Sequence, residues 1–134
     1  MRYLRSRGYT VTCADPRPGT TDSDIVARKG KESLFVEVIG FQVVPSIRSR
    51  EFYECFFRAI SRDRDLPDQR LIMALPARFA NGMGQRQRQY PKAWKKIGEA
   101  FPNLEIWYVD TEAATVIERS WLNPDSLVPD SLHA

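Results

Sequence analysis

The sequence predicts an α/β fold, a mixed β-sheet flanked by helices on both faces. Three observations predict it. Three short segments rich in β-branched and aromatic residues, 9–13, 24–29 and 33–40, follow one another with only turn and loop residues between them. A long amphipathic stretch, 46–62, separates the third of these from a continuous apolar run, Leu71-Ile72-Met73-Ala74-Leu75. A second helical pattern and a further strand then repeat that alternation.

Taken in order, residues 1–7 read as the end of a helix stopped by Gly8. Tyr9-Thr10-Val11-Thr12-Cys13 alternates as a first strand, and the turn-rich residues 15–23, Asp22 among them, form a loop. Strands at 24–29 and 33–40 are joined by Lys29-Gly30-Lys31, a turn that makes the pair antiparallel. Pro45-Ser46 opens the longest helix, 46–62. Phe52, Phe56, Ala59 and Ile60 make its apolar face, and Arg50, Glu51, Glu54, Arg58 and Arg62 take the remainder. The apolar run at 70–75 ends at Pro76 and reads as a strand covered on both faces. A strand–helix–strand order of this length favours a right-handed parallel crossover.

Residues 78–90 are rich in Gly, Gln and Arg and read as a basic loop. Pro91 fits the first turn of a second helix, with Trp94, Ile97, Ala100 and Phe101 on one face and Lys92, Lys95, Lys96 and Glu99 turned away. Residues 104–109 are the last clear strand, and 116–122 add a short one. The expected order is α-β-β-β-α-β-α-β, one domain over residues 1–122 with a coil tail at 123–134.

Composition narrows the function. At 134 residues and 43% hydrophobic, the chain can bury a core without disulfides. No apolar run approaches the roughly 18–20 residues of a membrane span, so no membrane partner is expected. The basic N-terminus lacks the apolar stretch of a signal peptide, and a cytoplasmic location follows as the expectation. Cys13 and Cys55 form no CxxC pattern and read as free thiols. The one histidine, His133, stands near the end, which excludes an internal Ser-His or Cys-His nucleophile and a histidine metal cluster. Dinucleotide, P-loop and nucleophile-elbow motifs are absent. The net charge of +3 permits contact with nucleic acid.

Two acids carry the chemistry. Asp24 opens the second strand, and Glu37 interrupts the apolar Leu34-Phe35-Val36-Glu37-Val38-Ile39. A carboxylate there is costly unless it is partnered. Two roles are open for each. Glu37 either ligates a cation or pairs with an arginine of the long helix. Asp24 either joins it or acts as a strand-start cap.

Tyr9-Thr10-Val11, Asp24-Ile25-Val26-Ala27 and Phe35-Val36-Glu37-Val38-Ile39-Gly40 together resemble the PD-(D/E)xK nuclease superfamily, the restriction-endonuclease-like fold. The likeness covers about residues 1–75 by motif and order. It implies an αβββαβ core, here extended by a further helix and strand. It also implies Asp24 and Glu37 as metal ligands for Mg²⁺ or Mn²⁺, metal-dependent endonuclease chemistry on DNA rather than RNA, and a homodimer. Oxygen donors suit such hard cations.

The chain departs from the family at its lysine, where Ile39 stands. Residues 37 and 39 share a side of the sheet, and Ile39 can neither donate a hydrogen bond nor neutralise a phosphate. The enzymatic reading therefore needs another cation. Arg50 is the leading candidate, followed by Arg48, Arg28 and Lys29, with Gln42 available to orient water or phosphate. Arg78, Arg86, Arg88 and Lys92 are the candidate nucleic-acid contacts. The alternative is a catalytically inactive nuclease-fold domain used for binding or assembly, which Ile39 favours.

Overall fold

A computed structural model describes residues 2–13 and 24–124 of the chain. The expected loop at 15–23 with Asp22, the tail beyond 124 and His133 lie outside the described residues. The elements are α1 (Arg2–Ser6), β1 (Thr10–Cys13), β2 (Ile25–Lys29), β3 (Glu32–Val38), α2 (Pro45–Ser61), β4 (Gln69–Pro76), α3 (Ala80–Gln89), α4 (Pro91–Ala100), β5 (Leu104–Asp110) and β6 (Thr115–Ser120). A single 3₁₀ turn, Ala77–Phe79, leads from β4 into α3.

The strands form one six-stranded mixed sheet in sequence order, β1 to β6. The meander β1–β2–β3 is antiparallel, β3–β4 and β4–β5 are parallel, and the last hairpin is antiparallel. Gly30, at φ +59°, takes the left-handed conformation that closes the tight β2–β3 turn. The expected parallel crossover through α2 is present, and a second, through α3 and α4, extends the sheet by one more strand.

Alternation along the strands divides the core in two. Phe35, Leu71, Met73, Leu75, Ile106 and Tyr108 face α2, α3 and α4, meeting Phe52, Cys55, Ala59, Met83 and Trp94. Leu34, Val36, Ile72, Ala74 and Trp107 face the other way, where Leu4 of the five-residue α1 packs on them. Helices thus flank both faces, but unequally. Two crossovers of the same hand running in the same direction must fall on one face.

The segment expected as a loop, 78–90, is mostly the helix α3. Its two glycines weigh against helix, yet Phe79, Ala80, Met83 and Gly84 form a buried stripe at helical spacing. The Gln and Arg residues between them are good helix formers. Packing therefore overrides the two glycines.

Candidate carboxylate–guanidinium site

Glu37 lies on the helix-covered side of β3 and is 1% exposed. Period-two alternation puts it on the same side as Phe35, and residue 39 follows suit, with Ile39 packed against the same apolar cluster. Isolating a carboxylate in such surroundings is prohibitive, so partners must reach it. They come from the last turn of α2 and the residue that caps it. The Arg62 Nε donates to Glu37 Oε1 at 2.8 Å, and the Arg58 Nε stands 3.7 Å from Oε2.

The helix explains why two arginines arrive together. Positions 58 and 62 are one turn apart and share a face. Cys55 and Ala59, buried beside them, fix the rotation of α2 against the sheet. The side chain of Arg62 is 16% exposed, whereas that of Arg58 is 42% exposed. Arg62 is therefore the structural partner and Arg58 the one with room to move.

Asp24 arrives from the other direction. The β2–β3 ladder pairs Ile25 with Val36, so its continuation sets Asp24 alongside Glu37. The Asp24 Oδ2 accepts the amide of Val38 at 2.8 Å, capping β3 just past Glu37. Two acids and two guanidiniums thus make a quartet with no formal net charge. Burial holds the Glu37 carboxyl above its ordinary range. The hydrogen bond and charge of Arg62 pull it down, Asp24 pushes it up, and Arg58 pulls it down more weakly. Beneath the quartet, burial raises the Cys55 thiol to about 12, and its Sγ lies 3.9 Å from the Glu37 carbonyl oxygen.

Arg50, expected as the replacement cation, is not at this site. It lies on the exposed face of α2 with its Nε 4.0 Å from Glu54 Oε1. Arg48 donates to the backbone carbonyl of Gln42 at 3.2 Å. Lys29 donates to the Arg7 carbonyl at 2.9 Å. The pair that does reach Glu37 is Arg58 and Arg62, so the arginine partner expected from the long helix is present, at its C-terminal end rather than at position 50. The available signal was their i, i+4 spacing flanking Ala59.

Of the nucleic-acid candidates, Arg88 and Lys92 are exposed on α3 and α4. Arg78 covers the Phe41 ring at 4.1 Å, and Arg86 is half-buried over Phe52 at 5.1 Å.

A second charged cluster, on the opposite face of the sheet, had no forewarning. Arg70 of β4 meets Glu105 through two bonds at 2.6 and 2.7 Å, Glu32 at 3.0 Å and Glu118 at 2.9 Å. Tyr9 donates to Glu32 at 2.7 Å, and Tyr3 donates to Glu118. Hydrogen bonding to Glu105 raises the Arg70 guanidinium further above its already high range. Every oxygen pair in this cluster already faces a donor, so its character is structural.

The fit of the quartet to a divalent cation follows from its donors. Oε1 of Glu37 is bonded to Arg62 and Oε2 faces Arg58 at 3.7 Å, so a cation would take Oε2, beside the second oxygen of Asp24, only with Arg58 drawn back. Among the described residues no group of three or more metal-type side chains exists. That set suits a Mg²⁺-like ion, which takes one or two carboxylates and fills its shell with water and phosphate oxygens. Comparison with protein-family models, curated proteins and solved structures gives no match for this chain.

Proposed function

We propose that this chain is a nuclease-like domain of the PD-(D/E)xK type that acts on DNA, with Arg58 standing in for the motif lysine. The observation that supports this reading most directly is the grouping of Asp24, Glu37 and Arg58 at the end of one hairpin, where the sequence offers Ile39. Asp24 and Glu37 would hold a Mg²⁺ or Mn²⁺ ion. When bound, such an ion activates water and neutralises charge on a scissile phosphate.

The chain's own residues do the rest. Arg62 fixes the Glu37 carboxylate from one side, and Val38's amide fixes Asp24, so both acids are positioned before anything binds. Arg58, with its exposed side chain, can leave Glu37 Oε2 and present a planar donor fork to a phosphate. Enclosure of Glu37 by α2 excludes water from one side of the pair. Ile39 keeps that wall apolar.

The experiment is Mg²⁺- or Mn²⁺-dependent cleavage of plasmid and single-stranded DNA. Cleavage is expected to vanish in Glu37→Ala and Asp24→Asn and to fall by about 10²-fold or more in Arg58→Ala, the scale of losing one transition-state donor. Activity that survives Glu37→Ala ends the reading.

A second reading is a binding domain that keeps the architecture without hydrolysis. The neutral quartet favours it, because the Arg62 bond and the Arg58 contact compensate Glu37 without any metal. Calorimetric titration with Mn²⁺ separates the two. A site lost in Asp24→Asn supports the enzyme, and no site in the wild-type chain supports the binding domain.

A further inference from the structure

A cavity of about 400 Å³ opens away from the quartet, where the connection after β3, the first turn of α2, the 3₁₀ turn and α3 come together. Three guanidiniums line it, one each from α2 (Arg48), the 3₁₀ turn (Arg78) and α3 (Arg86), and among the described residues no carboxylate does. Among the described residues none of the three joins a salt bridge. Convergent like charges repel, so a fold that gathers them without an acid has left the compensating charge to something else.

The guanidiniums are held by aromatic faces. Phe41 sits between Arg48 at 4.7 Å and Arg78 at 4.1 Å, while Arg86 spans Phe52 at 5.1 Å and Phe79 at 5.9 Å. Stacking uses the flat face of a guanidinium and leaves its N–H edge for an acceptor. The Nε of Arg86 is enclosed and has no hydrogen-bond partner among the described residues. Asn81, Gln85 and Gln89 recur every fourth residue along α3 and add amide donors to the same wall. Burial lowers the Arg86 guanidinium from its ordinary value; Tyr53 raises it, and the charge of Arg48 lowers it more weakly.

We infer that this cavity is a phosphomonoester site. It takes a dianionic terminal phosphate together with the nucleoside that carries it. Fork-shaped donors match phosphate oxygens, and a volume of this size falls in the range of small-molecule pockets rather than single-ion sites. The terminal phosphate has two sources, a nucleic-acid strand end or a free nucleotide. The first rests on the nuclease-like reading above, and the second stands without it.

The test is fluorescence anisotropy in EDTA at fixed salt, which leaves metal-dependent cleavage out of the measurement. The probes are a labelled DNA 12-mer with a 5′-phosphate, the same strand with a 5′-hydroxyl, and dAMP as competitor. The phosphorylated strand or dAMP is expected to bind about tenfold or more tighter than the hydroxyl strand. Arg78→Gln, at an exposed position that leaves the core intact, is expected to erase that preference. Lys31→Gln, in the β2–β3 turn, is expected to keep it. Competition by dAMP at the strength of the phosphorylated strand assigns the free nucleotide as the source, and much weaker competition assigns the strand end. Equal binding of both strands with no competition by dAMP overturns the site, as does a preference unchanged in both Arg78→Gln and Arg48→Gln.

Discussion

Asp24 and Glu37 lie side by side at the end of the β2–β3 ladder, yet different chemistry holds each. Asp24 spends one oxygen on the amide of Val38 at 2.8 Å, whereas Glu37 is enclosed and bonded to Arg62 at 2.8 Å. One acid is a backbone cap and the other a buried charge. That difference sets how the pair responds to pH and to substitution.

Burial raises the folded Glu37 carboxyl above the ordinary glutamate range. An acid raised on folding contributes stability that is present below the unfolded value and lost as pH rises through the folded value. Stability should therefore decline across that window, and Glu37→Gln should flatten the decline. Because Arg62 pulls the carboxyl down, Arg62→Gln should push it higher still. A carboxyl ¹³C titration reads both shifts, and a Glu37 midpoint at or below that of an unstructured glutamate contradicts the assignment.

Arg70 is ion-paired with all three of Glu32, Glu105 and Glu118. Its removal leaves three carboxylates facing one another on a half-covered sheet face. Arg70→Ala should cost about 2 kcal/mol, the scale of hydrogen bonds to charged groups in a partly covered cluster. Urea unfolding at neutral pH measures it. A loss well under about 1 kcal/mol, the worth of an exposed ion pair, would place the cluster with ordinary surface salt bridges.

Trp94 and Trp121 stack at 3.9 Å and exchange indole bonds, each N–H donating to the other's carbonyl at 2.7 and 2.9 Å. This doubly bonded stack pins α4 to the residue that follows β6. Trp94→Phe keeps a ring but leaves the enclosed Trp121 carbonyl without its indole donor. It should cost about 1–3 kcal/mol by denaturant unfolding, the range for one unsatisfied buried group.

With its thiol raised to about 12, Cys55 stays protonated at neutral pH and beyond the reach of thiolate chemistry. In a Cys13→Ser background, native protein should react with a thiol-specific alkylator only as fast as it unfolds. Rapid labelling in the absence of denaturant would show that the helix face over Glu37 opens.

Much of the chain could be read before any coordinates. The strands, the crossover helix and the apolar β4 follow from alternation and helical spacing, which are local properties. The cost of Glu37 among apolar neighbours was equally visible, because desolvation depends on the residues beside it. Which guanidinium would answer that cost was not visible. Arg50 and Arg62 look alike in sequence, and only the height of α2 over the sheet brings Arg62 to Oε1 and leaves Arg50 beside Glu54. Packing against the β4–β5 face likewise turned 80–89 into helix despite its glycines. Strand register drew Glu32, Arg70, Glu105 and Glu118 together from four separate strands. Local pattern determined the elements and where charge would be costly. Tertiary structure decided which charges meet, because that depends on register and helix placement, which no short window of sequence contains.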